Sequence, residues 1–106
     1  MAGYEIAITA AASKELDDIP RRKERQAVVE RILALAADPR PLGCLKLAGV
    51  DGLYRIRQGR YRVVYGIEDD RLLVIVIRVG DRKDVYRGTG GRSTARTRPF
   101  PEKKKR

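Results

Sequence analysis

The chain has 106 residues, enough for one small domain with a single hydrophobic core. Its formal net charge of +10 predicts affinity for nucleic acid or for an acidic protein partner. There is no histidine, which removes the usual general base and a common metal ligand, and the single cysteine, Cys44, makes neither an intramolecular disulfide nor a zinc site. No apolar run approaches the ~18 residues of a membrane span, and the N-terminus lacks a secretory signal pattern. We therefore expect a cytoplasmic protein without membrane association, metal or cofactor.

The positive charge is concentrated towards the C-terminus. Residues 88–106 contain seven basic residues and one acid, a net of +6, whereas residues 1–87 contain 17 basic and 13 acidic residues, a net of +4. Phe100 is the one large apolar side chain in 88–106, too little to offset the entropy of ordering this segment. We predict a folded domain over residues 1–87 and a basic, disordered tail over 88–106, which either binds RNA or only adds solubility.

The first part of the chain has the pattern of a strand followed by two helices. Residues 4–8 alternate between apolar and polar, as a strand does, and Thr9 is a suitable N-cap for a helix that extends to about Asp18. Residues 21–37 place apolar side chains at helical spacing, and Asp38-Pro39 ends this second helix. The apolar stripe of the second helix is expected in the core, although a groove for a partner has the same pattern.

The second part of the chain predicts a connector and three strands. The connector covers residues 40–51 and includes Lys46, a candidate phosphate contact. The strands are predicted over 53–57, 60–67 and 71–79, and the last of these is apolar on both faces, as expected for a strand covered on both sides. The order β-α-α-β-β-β is typical of an α+β fold with two helices on one face of a small antiparallel sheet. The helices would cover five hairpin side chains: Tyr54, Ile56, Tyr61, Val63 and Tyr65.

The predicted hairpin contains four arginines within eight residues and no acid. Side chains alternate between the faces of a strand, so Arg55 and Arg57 share a face, as do Arg60 and Arg62. With Gln58-Gly59 as the loop, Arg57 lies opposite Arg60. Arg55 then lies opposite Arg62, and all four guanidinium groups are on one side of the sheet. Like charges on facing residues destabilise a sheet by roughly 0.2–1 kcal/mol per pair, so the four arginines do not help the hairpin to fold. Binding of a polyanionic ligand explains the cluster better, because guanidinium groups bind phosphate through charge-assisted hydrogen bonds. The alternative is a solvated basic surface without a ligand.

Cleavage of an RNA phosphodiester bond by its own 2′-hydroxyl group suits this composition. The reaction needs a proton acceptor, stabilisation of negative charge on the phosphate, and a proton for the leaving 5′-oxygen; guanidinium groups provide the second. Tyr86 and Lys83 are candidates for proton transfer, since neighbouring cations lower the pKa of a phenol. Arg82 could donate a hydrogen bond to the leaving oxygen. The alternatives are surface ion pairs of Arg82 and Lys83 with Asp81 or Asp84, and a packing role for Tyr86.

The segment from residue 4 to residue 87 resembles the RelE/ParE superfamily of toxins from bacterial type II toxin–antitoxin pairs, in particular its RelE-like branch. The resemblance rests on four motifs in this order: YEIAITAAASKELDDIP, ADPRPLGCLKLAG, LYRIRQGRYRVVYGIEDD and IRVGDRKDVYR. It implies a compact α+β fold and metal-independent cleavage of mRNA in the ribosomal A site by 2′-OH attack. It also implies a heteromeric complex with an acidic antitoxin, whose helix lies across the basic surface or displaces the C-terminal segment.

The resemblance also implies which residues form the catalytic surface. The family pattern has two basic residues on the first hairpin strand, an arginine on the second, an arginine after the last long strand and a tyrosine close behind it. The residues of this sequence at those positions are Arg55, Arg57, Arg62, Arg82 and Tyr86. Both first-strand positions are often lysine in the family, so we expect phosphate binding and charge stabilisation, not proton transfer, from Arg55 and Arg57. We assign Arg60, Lys83 and Lys46 to substrate binding, Arg60 on strand parity alone, and Lys83 could also carry the proton.

Two other functions stay open. The ParE branch shares the fold and poisons DNA gyrase, and it does not depend on this set of basic residues and tyrosine. A non-catalytic RNA-binding or corepressor subunit would also need a basic surface. A full set of matching residues at all five positions favours RNA cleavage.

Overall fold

The computed structural model describes residues 3–47 and 52–81, and the backbone of residues 97–99. The described elements are β1 (Glu5–Thr9), α1 (Ala10–Asp17), α2 (Arg22–Ala34), β2 (Leu45–Lys46), β3 (Leu53–Gln58), β4 (Tyr61–Glu68), a 3-10 turn (Asp69–Arg71), β5 (Leu73–Gly80) and β6 (Thr97–Pro99). The strands form one sheet in the order β2-β3-β4-β5-β1-β6. Neighbouring strands are antiparallel, except that β1 is parallel to β5. The predicted α+β class is confirmed.

Both predicted helices are present close to their expected limits. Thr9 is the N-cap of α1, since its Oγ1 accepts a hydrogen bond from the Ala12 N–H at 3.1 Å. The same hydroxyl donates to the Ile77 carbonyl at 3.0 Å, which ties the start of α1 to β5. The α2 helix buries Val28 and Ile32, so its apolar stripe packs in the core as predicted. Neither helix of the described chain is long and apolar enough to cross a membrane.

The main core lies between the helices and one face of the sheet. It includes side chains from both helices and from strands β1, β3, β4 and β5. All five predicted hairpin side chains face this core: Ile56, Tyr61, Val63 and Tyr65 are buried, and Tyr54 is half-buried against them. The Tyr65 hydroxyl donates to the Pro39 carbonyl at 2.7 Å, which satisfies the one polar atom of a side chain that is otherwise enclosed by apolar groups.

The opposite face of the sheet is covered less completely than the sequence predicts. Strand β5 buries Val74, Val76 and Val79 on the helix side, whereas its other apolar side chains, Leu73, Ile75 and Ile77, are only half-buried. The prediction that β5 is covered on both sides is therefore wrong for the described residues. A small second cluster on this open face consists of buried Leu53 and Val64 with half-buried Leu47 and Ile77.

Two short strands lie where the sequence predicts no regular structure. Strand β2 falls within the connector, and two residues are too few to show a period. Strand β6 pairs with β1 inside the segment predicted to be disordered, so that prediction is wrong for residues 97–99. The other residues of the predicted tail lie outside the described part of the chain, and the proposed division into a domain and a tail stays a prediction.

Polar contacts join three segments at the end of the sheet away from the hairpin loop. Arg40, which follows α2, donates to both carboxylate oxygens of Asp69, at 3.2 and 2.8 Å. The Tyr4 hydroxyl donates to the same carboxylate at 2.7 Å, and Arg40 also contacts the Tyr54 hydroxyl at 3.3 Å. The guanidinium and tyrosine hydrogen bonds hold the pKa of Asp69 below its usual value. This network fixes the connector against the 3-10 turn.

Candidate nucleic-acid interface

The loop of the β3–β4 hairpin is Gly59-Arg60, one residue later than predicted. Gln58 pairs with Tyr61, and Gly59 has a φ of 63° at the first loop position. A two-residue hairpin loop with glycine first is typical of a type II′ turn, whereas the predicted loop placed glycine second, as in a type I′ turn. The alternating pattern is compatible with both turns, and the sequence therefore left the choice between them undetermined.

The corrected register still places three arginines on one face of the sheet. Arg57 lies directly opposite Arg62, and Arg55, two residues before Arg57, lies opposite Val64. The predicted shared face of Arg55, Arg57 and Arg62 is confirmed, because the register changed by an even number of residues and parity was kept. We call these three residues the arginine face. It lies on the side of the sheet that the described helices do not cover.

Two members of the arginine face, Arg57 and Arg62, have poorly compensated charges. Arg57 is exposed and Arg62 is half-buried, and neither of them forms an ion pair with a described carboxylate. Arg62 Nη1 instead contacts the Asp81 carbonyl oxygen at 3.5 Å. Facing residues in an antiparallel pair have Cα atoms about 4.5–5.5 Å apart, so two guanidinium groups start from neighbouring positions. The pair is therefore unfavourable for folding and suited to an anion.

Two residues assigned to substrate binding do not belong to the arginine face. Arg60 lies in the loop, where its Nε is 4.0 Å from Asp81 Oδ2 and its guanidinium carbon is 5.9 Å from the centre of the core-facing Tyr61 ring. Lys46 pairs with Tyr54, whose side chain faces the helices, so parity directs Lys46 away from the arginines. The residue of β2 that shares the arginine face is Leu45, opposite Arg55, and its side chain is about half exposed.

Three predicted residues, Arg82, Lys83 and Tyr86, lie outside the described part of the chain, and their roles stay predictions. The last residue before them contacts the arginine face. Gly80 pairs with Arg62, and the Asp81 carbonyl accepts the contact from the same side chain. Sequence reasoning considered Asp81 only as an ion-pair partner of residues 82 and 83, and did not identify its contacts to Arg60 and Arg62. These contacts depend on β5 ending beside the hairpin loop, which local pattern does not reveal.

Sequence reasoning also missed a further basic residue near the hairpin, Arg78. Its guanidinium is bound by the Glu15 carboxylate at 2.8–3.2 Å, and the same carboxylate accepts the Val79 N–H at 2.8 Å. Both side chains of this ion pair are about one-third exposed or less. The charge of Arg78 is thus compensated from α1, and Arg78 ties α1 to β5 where Val64 pairs with it across the β4–β5 ladder.

The described tyrosines are poor candidates for proton transfer at the arginine face. Burial raises the pKa of Tyr61 and of Tyr65, and both side chains face the core. The hydrogen bond to Asp69 raises the pKa of Tyr4, which lies at the far end of the sheet. No three acidic or cysteine side chains among residues 3–47 and 52–81 converge as metal ligands. Proton transfer would therefore depend on residues after Asp81.

Comparison with known proteins assigns the fold to a family. The family model described as "ParE toxin of type II toxin-antitoxin system, parDE" matches residues 6–86. The chain belongs to the RelE/ParE toxin superfamily. It is 38% identical over 85 residues to Toxin RelE of Mycobacterium tuberculosis, a match that covers 79% of this chain and 87% of that protein. The resemblance inferred from the four sequence motifs is confirmed.

Solved structures of similar proteins include toxin–antitoxin complexes. The RelBE2 complex of Mycobacterium tuberculosis contains a chain that is 31% identical, with a TM-score of 0.67, and the match covers 79% of this chain and 97% of that one. A chain of the intact E. coli RelBE complex is 27% identical, with a TM-score of 0.66 and coverage of 76% and 98%. The present protein is thus a RelE-like toxin of the type II toxin–antitoxin class. The family model ends at residue 86, so β6 lies beyond it.

Proposed function

We propose that this RelE-like toxin is an mRNA endoribonuclease that acts on translating ribosomes and uses the arginine face to bind the scissile phosphate. The observation that carries the proposal is the Arg57–Arg62 pair. Two like charges face each other across the hairpin, although such pairs destabilise a sheet, and neither has a described carboxylate partner. A phosphate between the two guanidinium groups would convert this repulsion into charge-assisted hydrogen bonds.

The proposed reaction is an in-line displacement at phosphorus without a metal ion. The 2′-oxygen forms a bond to phosphorus as its proton passes to a base, and the bond from phosphorus to the 5′-oxygen breaks as that oxygen receives a proton. The products are a 2′,3′-cyclic phosphate and a 5′-hydroxyl group. Negative charge on the non-bridging oxygens increases in the transition state, and preorganised guanidinium groups stabilise it there more than in the ground state.

The three arginines have different places in this scheme. Arg57 and Arg62 start from facing positions and can donate to the same phosphate. Arg55 lies two residues along β3 from Arg57, about 7 Å away at the rise of a strand, so we assign it to a neighbouring phosphate or to the 5′ side of the scissile one. We assign the proton donor and acceptor roles to Arg82, Tyr86 and Lys83, the candidates of the sequence motif.

We also propose a cytoplasmic complex with a cognate acidic antitoxin. The similar structures from Mycobacterium tuberculosis and E. coli are complexes of RelE toxins with RelB antitoxins. A net charge of +10, and the absence of a described carboxylate partner for Arg57 and Arg62, favour a partner with acidic side chains. Such a partner would inhibit cleavage by occupying the surface that binds phosphate.

The decisive experiment maps mRNA 5′ ends after induction of the toxin, with and without its neighbouring antitoxin gene. We expect new 5′ ends within translated codons for the wild type, and a loss of at least tenfold for Arg62→Ala, since one oxyanion-stabilising donor is worth about 10²–10³ in rate. Arg71→Ala is the matched control: Arg71 is also exposed and basic, but lies in the 3-10 turn at the opposite end of β4.

The alternatives predict different outcomes in the same cells. Gyrase poisoning would give trapped gyrase and a DNA-damage response while translation continues at first, and a binding subunit would retain RNA without new 5′ ends. Full toxicity of a folded Arg62→Ala variant would contradict the proposed role of the arginine face.

A further inference from the structure

The outer edge of β1 is covered by the short strand β6. Three residue pairs join the strands, Ala7 with Pro99, Ile8 with Arg98, and Thr9 with Thr97. Strand β1 begins two residues earlier, at Glu5, so β6 as bounded covers only part of its edge. An edge strand that presents free N–H and C=O groups is a template for pairing with another chain, and proteins commonly block such edges with short strands, prolines and charged residues.

The hydrogen-bonding direction of each β1 residue follows from its pairing with β5. The Glu5 N–H donates to the Leu72 carbonyl at 2.8 Å, on the β5 side. Backbone groups of successive residues in a strand point to opposite sides, so those of Ala7 also face β5, and those of Ile6 and Ile8 face the outer edge. Of the three pairs with β6, the Ile8–Arg98 pair is therefore the hydrogen-bonded one, which limits the ladder to two hydrogen bonds.

The composition of β6 fits a removable cover. Pro99 pairs with Ala7 at a position that is not hydrogen-bonded, so the missing N–H of proline removes no hydrogen bond between β6 and β1. The N–H is missing instead from the outer edge of β6, where it could have paired with another strand. The family model matches residues 6–86, so β6 lies outside the segment that defines the family.

The edge of β1 is also complementary to itself. In an antiparallel pair of two copies centred on Ala7, Ile6 of each copy faces Ile8 of the other, and both residues direct their backbone groups to the partner. This register gives four hydrogen bonds, twice the two of the described Ile8–Arg98 pair. It also places Glu5 opposite Thr9, so no like charges face each other. We propose that the outer edge of β1 is a self-pairing surface, which β6 covers in the monomer and which a second copy of this chain occupies through its own β1 when β6 is displaced.

The test uses the full chain in an Arg62→Ala background, so that toxicity does not limit expression. Replacing Thr97 and Arg98 by proline turns β6 into three consecutive prolines without an N–H donor. The matched control places two prolines at Ser93 and Thr94 instead. Mass is measured by light scattering after size exclusion over a range of concentrations. We expect the 12.0 kDa monomer for the parent and the control, and a concentration-dependent shift to twice that mass for the β6 variant.

A further substitution tests the surface itself. Ile6→Pro removes an N–H that the proposed dimer needs and that the β1–β5 ladder does not use, so it should return the β6 variant to the monomer. If Ile6→Pro reduces folding, Ala7→Lys serves instead, because it places two ammonium groups face to face in the proposed register.

Two results would overturn the proposal. They are a β6 variant that stays monomeric at every concentration, and a dimer that survives both β1 substitutions in folded protein. Neither of these measurements depends on RNA cleavage, so failure here leaves the proposed function unaffected.

Discussion

Replacing Arg57 by glutamine should make the protein more stable and less active. Arg57 is exposed, lies directly opposite Arg62, and has no described ion-pair partner, so the substitution removes a repulsion without opening a cavity. Facing like charges cost roughly 0.2–1 kcal/mol, and we expect a gain of that size in the free energy of unfolding. For a domain of this length it corresponds to a rise of about 1–8 °C in the midpoint of thermal unfolding.

The assay is thermal unfolding of wild type and Arg57→Gln at low and high salt. The gain should shrink at about 1 M salt, where the Debye length falls to about 3 Å and exposed charges are screened. Arg71→Gln is the control, because Arg71 pairs with Glu68 at 3.1 Å and its loss should be neutral or slightly destabilising. A clear loss of stability in Arg57→Gln would refute the view that the arginine pair is maintained for a ligand and not for folding.

Other predictions concern contacts that hold the scaffold. Asp69→Asn removes the ion pair with Arg40. Because folding lowers the pKa of Asp69, the ion pair stabilises the protein above the ordinary aspartate pKa of about 3.9, and this stabilisation disappears as the pH falls through the lower folded value. The difference in unfolding midpoint between wild type and variant should therefore vanish in acid titrations. Thr9→Ala should cost about 0.5–2 kcal/mol in chemical denaturation, with partial recovery in Thr9→Ser, since the hydroxyl caps α1 and also bonds β5; equal stability of all three proteins would contradict the capping role. Tyr65→Phe should cost roughly 1–3 kcal/mol because the Pro39 carbonyl loses a buried donor, and urea unfolding unchanged from wild type would show that this hydrogen bond contributes nothing.

The shared face of the three arginines illustrates what a sequence pattern can establish. Alternation of side chains is a property of the local backbone, so Arg55 and Arg57 share a face in any strand that contains both. The β3–β4 register was predicted incorrectly, yet Arg62 stayed on the same face because the correction was even in residues. The predicted face of Arg60 was wrong, because the loop is Gly59-Arg60 and Arg60 therefore does not belong to a strand.

Other parts of the candidate site depended on which strands are neighbours. Lys46 was predicted near the phosphate site from its charge and proximity in sequence, but its pairing with Tyr54 directs it to the other face. Asp81 contacts Arg60 and Arg62 because β5 ends at the hairpin loop, a contact between residues about 20 positions apart. Neither result has a signature within a short window of sequence.

The sequence by itself determined the two helices, the positions of the four longer strands (β1, β3, β4 and β5), the core face of the hairpin and the family, because each of these follows from local periodicity, capping residues or a motif order. Only the tertiary structure decided the hairpin loop, the parallel placement of β1 beside β5, the open face of β5 and the β1–β6 pair. The physical reason is that periodicity constrains which side a residue faces, whereas strand order and register are selected by the combined burial and hydrogen bonding of segments far apart in the chain.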